Sequence, residues 1–188
     1  MAFEKVSLQT WMDVNNLKMK NIDIILMTTE KNYEEIKLPV RGTKKSAGYD
    51  FICPFDSISL EPGTTYLIPT GIKASLDKIC PYIDNSDQSN TDKEIKFLDI
   101  NAYIALYPRS SLGMKYGFTL LNTTGIIDAD YYNNESNEGH IMVAFKVSKT
   151  LELKKGDKFC QGIITPFYVM EDDNVIETLR TGGMGSTN

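Results

Sequence analysis

Cysteine is scarce in this chain of 188 residues: Cys53, Cys80 and Cys160 are odd in number, widely spaced and free of any CxxC pair. That excludes a disulfide framework and a structural zinc site, and leaves three reduced thiols in a cytoplasmic protein as the expectation, host cytoplasm if the source is viral. There is no run of 18 apolar residues, and Met1–Thr10 lacks the basic start and apolar stretch of a signal peptide, so no membrane association is expected. Excess positive charge is missing as well. With a net charge of −5 and dispersed Lys and Arg, the chain offers no basic surface for direct nucleic-acid binding. An acidic protein of this kind needs local cations, and a metal ion, to hold a phosphorylated substrate. Internal repeats are absent too. Hydrophobic content of 41% and charged content of 24% are ordinary for one globular domain with a sizeable core.

What is present is mostly β signal. "TTYLIPTGIKASL" is rich in β-branched residues and broken by Pro69 and Gly71, and "NIDIILMT" is a compact apolar run. In "INAYIALYP" and "HIMVAFKV", apolar residues alternate with their neighbours at the period of a strand. Turn signals such as "EPG", "KKGD" and "TTG" separate these segments, which predicts an all-β domain, a jelly-roll β-barrel or sandwich. Residues 1–20, with Val6, Trp11, Val14 and Leu17 at roughly helical spacing, read as a short N-terminal extension on a β domain spanning 21–179. Residues 84–94 are polar and aperiodic, an exposed insertion between strands. Residues 180–188, "RTGGMGSTN", bury too little to order alone.

Four stretches carry chemistry. "RGTKKSAGYD" invites a phosphate-loop reading, but its second glycine is followed by Tyr49-Asp50 and no helix, so it reads as a turn entering a strand. "YPRSSLGMKYG" brings Arg109, Ser110 and Ser111 together with Gly113, a set suited to phosphate oxygens; it equally reads as a helix start capped by Ser110. In "LLNTTGIIDADYYNN", "TTG" reads as a hairpin turn, and Asp128 and Asp130 would share a face of an extended strand. One carboxylate could orient a water as general base, both could sit near a hydrated divalent ion, or both could be solvated charges on an edge strand. Tyr131 could pack or present its ring to a ligand. In "KKGDKFCQGIITP", a turn leads into a strand that places Gln161 in apolar surroundings, where its amide needs partners.

In order along the chain, "SAGYD", "PRSSLG", "GIIDADY", "GDKFCQGI" and "GGMGST" resemble the five ordered motifs of the trimeric dUTPase family over roughly residues 20–188. The resemblance implies the dUTPase-like β fold and Mg²⁺-assisted hydrolysis of dUTP to dUMP and pyrophosphate. Such a reaction limits uracil incorporation into DNA and supplies dUMP. It also implies a homotrimer in which three chains contribute to each site. By position, Asp50 would sit near the hydrated metal as an outer-shell contact, the Mg²⁺ itself being held mainly by substrate phosphates and water. Arg109, Ser110 and Ser111 would bind phosphate. Asn122 and the backbone through Gly125 and Ile127 would read the uracil edge. Asp128 would activate the attacking water, Tyr131 would pack under the deoxyribose, and Gln161 would bond within the phosphate and water network. Arg180, Gly183, Met184, Gly185, Ser186 and Thr187 would form a lid arm closing over the nucleotide.

The chain departs from the family pattern in a longer loop at 132–140, an extra insertion at 84–94, and Met184 where the arm usually carries an aromatic residue. The two loops are the surfaces that a protein partner would use if the chain had a regulatory role. A dCTP deaminase, or a bifunctional deaminase-dUTPase, would need a glutamate where this chain has Ala144.

Overall fold

The computed structural model describes residues 3–77, 79 and 101–173. Its longest strand among the described residues, Thr65–Ala74, grows from a segment rich in β-branched residues. Among the described residues the strands and α-helices follow the chain as β1 (Phe3–Lys5), α1 (Leu8–Asp13), β2 (Ile24–Ile25), α2 (Glu30–Glu34), β3 (Val40–Arg41), β4 (Tyr49–Ile52), β5 (Ser57–Leu60), β6 (Thr65–Ala74), β7 (Ala102–Pro108), α3 (Ser110–Tyr116), β8 (Thr119–Leu120), β9 (Gly125–Ile127), β10 (Ile141–Lys146), β11 (Leu151–Lys154) and β12 (Lys158–Pro166). One sheet runs β1-β6-β10-β8, with β2 parallel to β6; a second runs β3-β4-β12-β7-β9; β5 and β11 form a separate pair. This mostly antiparallel all-β architecture is the one the strand pattern predicts.

The core lies between the sheets. Phe145 stacks on Phe118 with ring centroids 4.3 Å apart and on Tyr66 at 5.6 Å, and Phe51, Ile68, Ile104, Leu106 and Phe159 complete the buried layer. Alternation in β10 works as expected: Ile141, Val143 and Phe145 are buried, and Met142, Ala144 and Lys146 are not.

The helical spacing read across 1–20 yields one short helix, α1, preceded by β1 and followed by a 3-10 turn at Val14–Asn16, with Leu17 exposed. This segment is built into the domain. β1 pairs with β6 at Phe3↔Ala74, and Trp11 is wholly buried beside Phe55. The turn around "TTG" is not a hairpin, because β8 pairs with β10 while β9 pairs with β7. The chain crosses between sheets there, with Thr123 at φ 63 making the bend. Finally, Arg109 rather than Ser110 is the residue preceding α3, since its extended backbone (φ −67, ψ 132) places Ser110 already inside the helix.

Candidate active site

The second sheet assembles the candidate residues by register. Gln161 of β12 lies opposite Asp50 of β4 on one side and Tyr107 of β7 on the other. Asp50 is the buried acid of this group, only 1% exposed. A buried carboxylate is costly without partners, and here both oxygens are taken. Arg109 Nη1 lies 2.5 Å from Oδ1, and Lys158 Nζ lies 2.8 Å from Oδ2. Two cations on one carboxylate leave the group net positive in a protein of charge −5, a suitable local field for phosphate oxygens.

Lys158 was not singled out in the sequence, and the structure shows why. Lys158 and Gln161 are three residues apart, so a regular strand would send them to opposite faces. A bulge between Lys158 and Cys160 sets Lys158 opposite Ile52 and Gln161 opposite Asp50, which puts both on the Asp50 face. The run "GDKFCQG" held the clue only as a cation near a turn.

The 42–48 turn covers the same patch. A Cβ at Gly42 would be 3.8 Å from Asp50 Oδ2, and one at Gly48 would collide with Gln161 Oε1. "RGTKKSAGYD" is therefore a turn entering β4, as read, and Gly48 allows its backbone to pass close to the Gln161 amide. Ser110 and Ser111 follow Arg109 as the first, exposed residues of α3.

Asp128 is elsewhere. β9 ends at Ile127, which pairs with Ile104, so Asp128 emerges at the Tyr103 end of β7 while Arg109 follows its other end. Six strand residues separate those ends, roughly 20 Å. Asp128 is half-buried and immediately precedes the 3-10 turn Ala129–Tyr131 in extended backbone. This overturns the expectation that Asp128 and Asp130 share a face of an extended strand: the turn intervenes, and Asp130 is exposed. Tyr131 is buried, its hydroxyl donating to the His140 carbonyl at 3.0 Å. Asn122, Gly125 and Ile127 lie along the crossover before Asp128, with Asn122 exposed and Gly125 buried against Leu106. One chain thus brings Asp50, Arg109 and Gln161 together and holds Asp128, Tyr131 and the 122–127 crossover apart from them. Arg180, Gly183, Met184, Gly185, Ser186, Thr187 and the 84–94 insertion lie outside the described residues.

Among the described residues no group of three or more His, Cys, Asp or Glu could ligate a metal. The residues therefore do not form a protein cage for a cation. Asp50, the acid of the cluster, has both oxygens paired with Arg109 and Lys158.

Comparison with known proteins gives a consistent set of relatives. A family model for dUTPase matches residues 79–188. The chain is 34% identical over 174 residues to the deoxyuridine 5'-triphosphate nucleotidohydrolase of Lactococcus lactis, covering 91% of this chain and 99% of that protein. The crystal structure of dUTPase from Streptococcus mutans matches with a TM-score of 0.55 at 27% identity, covering 91% of this chain and 99% of that one. A mutant dUTPase from phage phi11 of S. aureus, whose structure reveals the coordination of a structural Mg(II) ion, matches with a TM-score of 0.51 over 77% of this chain and 92% of that one. At 21% identity this last likeness bears on the fold alone.

Proposed function

The chain belongs to the dUTPase family, enzymes that hydrolyse dUTP to dUMP, and on that premise we propose how its residues divide the work. Arg109, with Ser110 and Ser111 beside it, binds triphosphate oxygens. Asp128 takes a proton from the water whose oxygen attacks the α-phosphorus. The bond from that phosphorus to its bridging oxygen breaks, and pyrophosphate leaves. Gln161 orients groups around the phosphates through its amide. Asn122 and the backbone at Gly125 and Ile127 read the uracil edge, and Tyr131 packs against the deoxyribose. A Mg²⁺ ion would be held by triphosphate and water with Asp50 facing it, and when bound it supplies charge neutralisation.

The observation that carries this reading is the division of the site. A net positive cluster stands at one end of β7 and Asp128 at the other, roughly 20 Å away. A general base must be within hydrogen-bond reach of the proton it takes, so with Asp128 in that role the separation supports a site whose two halves come from different chains. A homotrimer with shared sites satisfies that requirement. Further apolar surface is left for such an assembly at Ile126, Tyr168 and Met170, which are 50%, 94% and 77% exposed in the single chain.

The test is pyrophosphate release from dUTP, dCTP, dTTP and UTP with Mg²⁺. Release selective for dUTP is expected, and Asp128→Asn is expected to lower kcat by about 10²- to 10⁴-fold while dUTP still binds. Near-normal turnover in that variant would remove Asp128 from the role of base. Ammonia release from dCTP would point to a deaminase instead, although Ala144 offers no proton-transferring group on β10.

A further inference from the structure

The loop at 132–140 folds inward onto the N-terminal segment. Asn134 organises it: its Oδ1 accepts from Ser136 N, Ser136 Oγ and Asn137 N at 3.0, 2.7 and 3.2 Å, and its Nδ2 donates to the Tyr131 carbonyl at 2.8 Å. Asn133 and Glu138 adopt left-handed backbone (φ 55 and 57), joined by Asn133 N donating to Glu138 O at 3.1 Å. Gly139, at φ 78, has no room for a Cβ beside the Tyr131 carbonyl. A loop closed in this way is a rigid part, unlike a solvated insertion.

Both ends of its bonding matter. Toward the site, Asn137 Nδ2 donates to the Tyr131 hydroxyl at 2.8 Å, and that hydroxyl donates on to the His140 carbonyl. Tyr131 N in turn donates to the Asp128 carbonyl at 3.2 Å. Toward the N-terminal segment, Glu138 receives Thr10 Oγ1 at 2.6 Å, Ser7 N at 3.2 Å and Ser7 Oγ, all around the start of α1. Lys73 of β6 pairs with Glu138 at 3.2 Å and also donates to Asn133 at 2.7 Å, and Tyr132 donates to Glu4 of β1 at 2.9 Å. Glu138 is thus held from two elements, and the phenol it stands behind is held by the adjacent residue.

We infer that Asn137 and Glu138 are positioning residues for sugar selection: they brace Tyr131 against the β1–α1 segment so that its ring stays where a 2′-hydroxyl would collide. The inference rests on the reading that Tyr131 faces the deoxyribose. Asn137 holds the phenol directly, and Glu138 holds the loop that carries Asn137. Loosening the ring makes room for a ribose, so the ratio of kcat/KM for dUTP to that for UTP is the quantity that responds. A purely architectural loop would change thermal stability and leave that ratio alone.

The experiment measures both kcat/KM values and Tm for Asn137→Ala, Glu138→Ala, Tyr131→Phe and Tyr131→Leu in the full chain. Asn137→Ala and Tyr131→Phe both break the Asn137–Tyr131 hydrogen bond, and Tyr131→Phe also removes the hydroxyl's bond to the His140 carbonyl. Each is expected to lower the dUTP-to-UTP ratio, by up to about tenfold for one such bond, and the double variant to lose no more than the larger single loss. Glu138→Ala is expected to lower the ratio less, and Tyr131→Leu to lower it most. If Tyr131→Leu collapses the ratio while Asn137→Ala and Tyr131→Phe retain it, the brace is overturned and the sugar contact stands. If Tyr131→Leu leaves the ratio unchanged, both readings fall. Should Asn137→Ala fail to fold, Tyr131→Phe carries the same test.

Discussion

Gly48 and Gln161 show how narrowly single residues define the site. An added Cβ at Gly48 meets both Oε1 and Cδ of the Gln161 amide, with Cβ of Gln161 3.4 Å away, so the whole side chain would have to turn. Gly48→Ala is therefore expected to reduce kcat/KM for dUTP, by roughly 10²-fold if the amide moves by about an ångström. Steady-state kinetics check this, and an unchanged kcat/KM would show that Gln161 is not required in its present place. The dipeptide Gly48-Tyr49 was visible in the sequence as a turn running into a strand, but its partner was not. Contact with a residue more than a hundred positions away is a product of sheet register.

At the level of elements, β6 is interrupted by a bulge that the rest of the fold repairs. Gly71, at φ 70, shifts the β10 register between Ile141 and Met142, and its N–H is satisfied by His140 Nε2 at 2.8 Å. Val6 N donates to the Gly71 carbonyl at 3.0 Å, and Trp11 packs 6.0 Å from the His140 ring. Burial holds the imidazole neutral, lowering its pKa from 6.5 to about 4, against a smaller opposing pull from Glu138. The unfolded chain therefore takes up this proton before the folded one does. Stability is unaffected by His140 above about pH 6.5, falls as the pH drops from there toward 4, and loses about 3 kcal/mol across that window. Urea denaturation at intervals between pH 7.5 and 4.5 should show the decline, and a flat profile would contradict a buried neutral His140. Glu138 acts lower down. Burial pushes its carboxyl up, but hydrogen bonds from Ser7, Thr10 and Lys73 outweigh that and hold it at about 2, so its contribution is lost only as the pH falls below about 4.5.

For the whole molecule, the separation of Asp128 from Arg109 along β7 predicts complementation. Asp128→Asn and Arg109→Ala are each expected to be nearly inactive as pure proteins. Co-expressed, they should recover a substantial fraction of activity, because under the proposed division mixed assemblies would contain sites drawing the intact Arg109 from one chain and the intact Asp128 from another. Absence of recovery in verified mixed assemblies would place the working site within one chain.

Much of this protein can be read along the chain: the strands at 65–74, 102–108 and 141–146 from their composition and alternation, and the family from five motifs in order. Those are local properties, set by side-chain period and by residue order, and they survive without knowledge of pairing. Pairing decided the rest. The bulge at Lys158–Cys160 turned a lysine onto Asp50, the crossover at Thr123 sent β8 and β9 to different sheets, and the antiparallel register of β9 on β7 set Asp128 at the end of that strand remote from Arg109. A one-residue change in register reverses which face a side chain occupies, and no pattern confined to one segment contains the register of its partner.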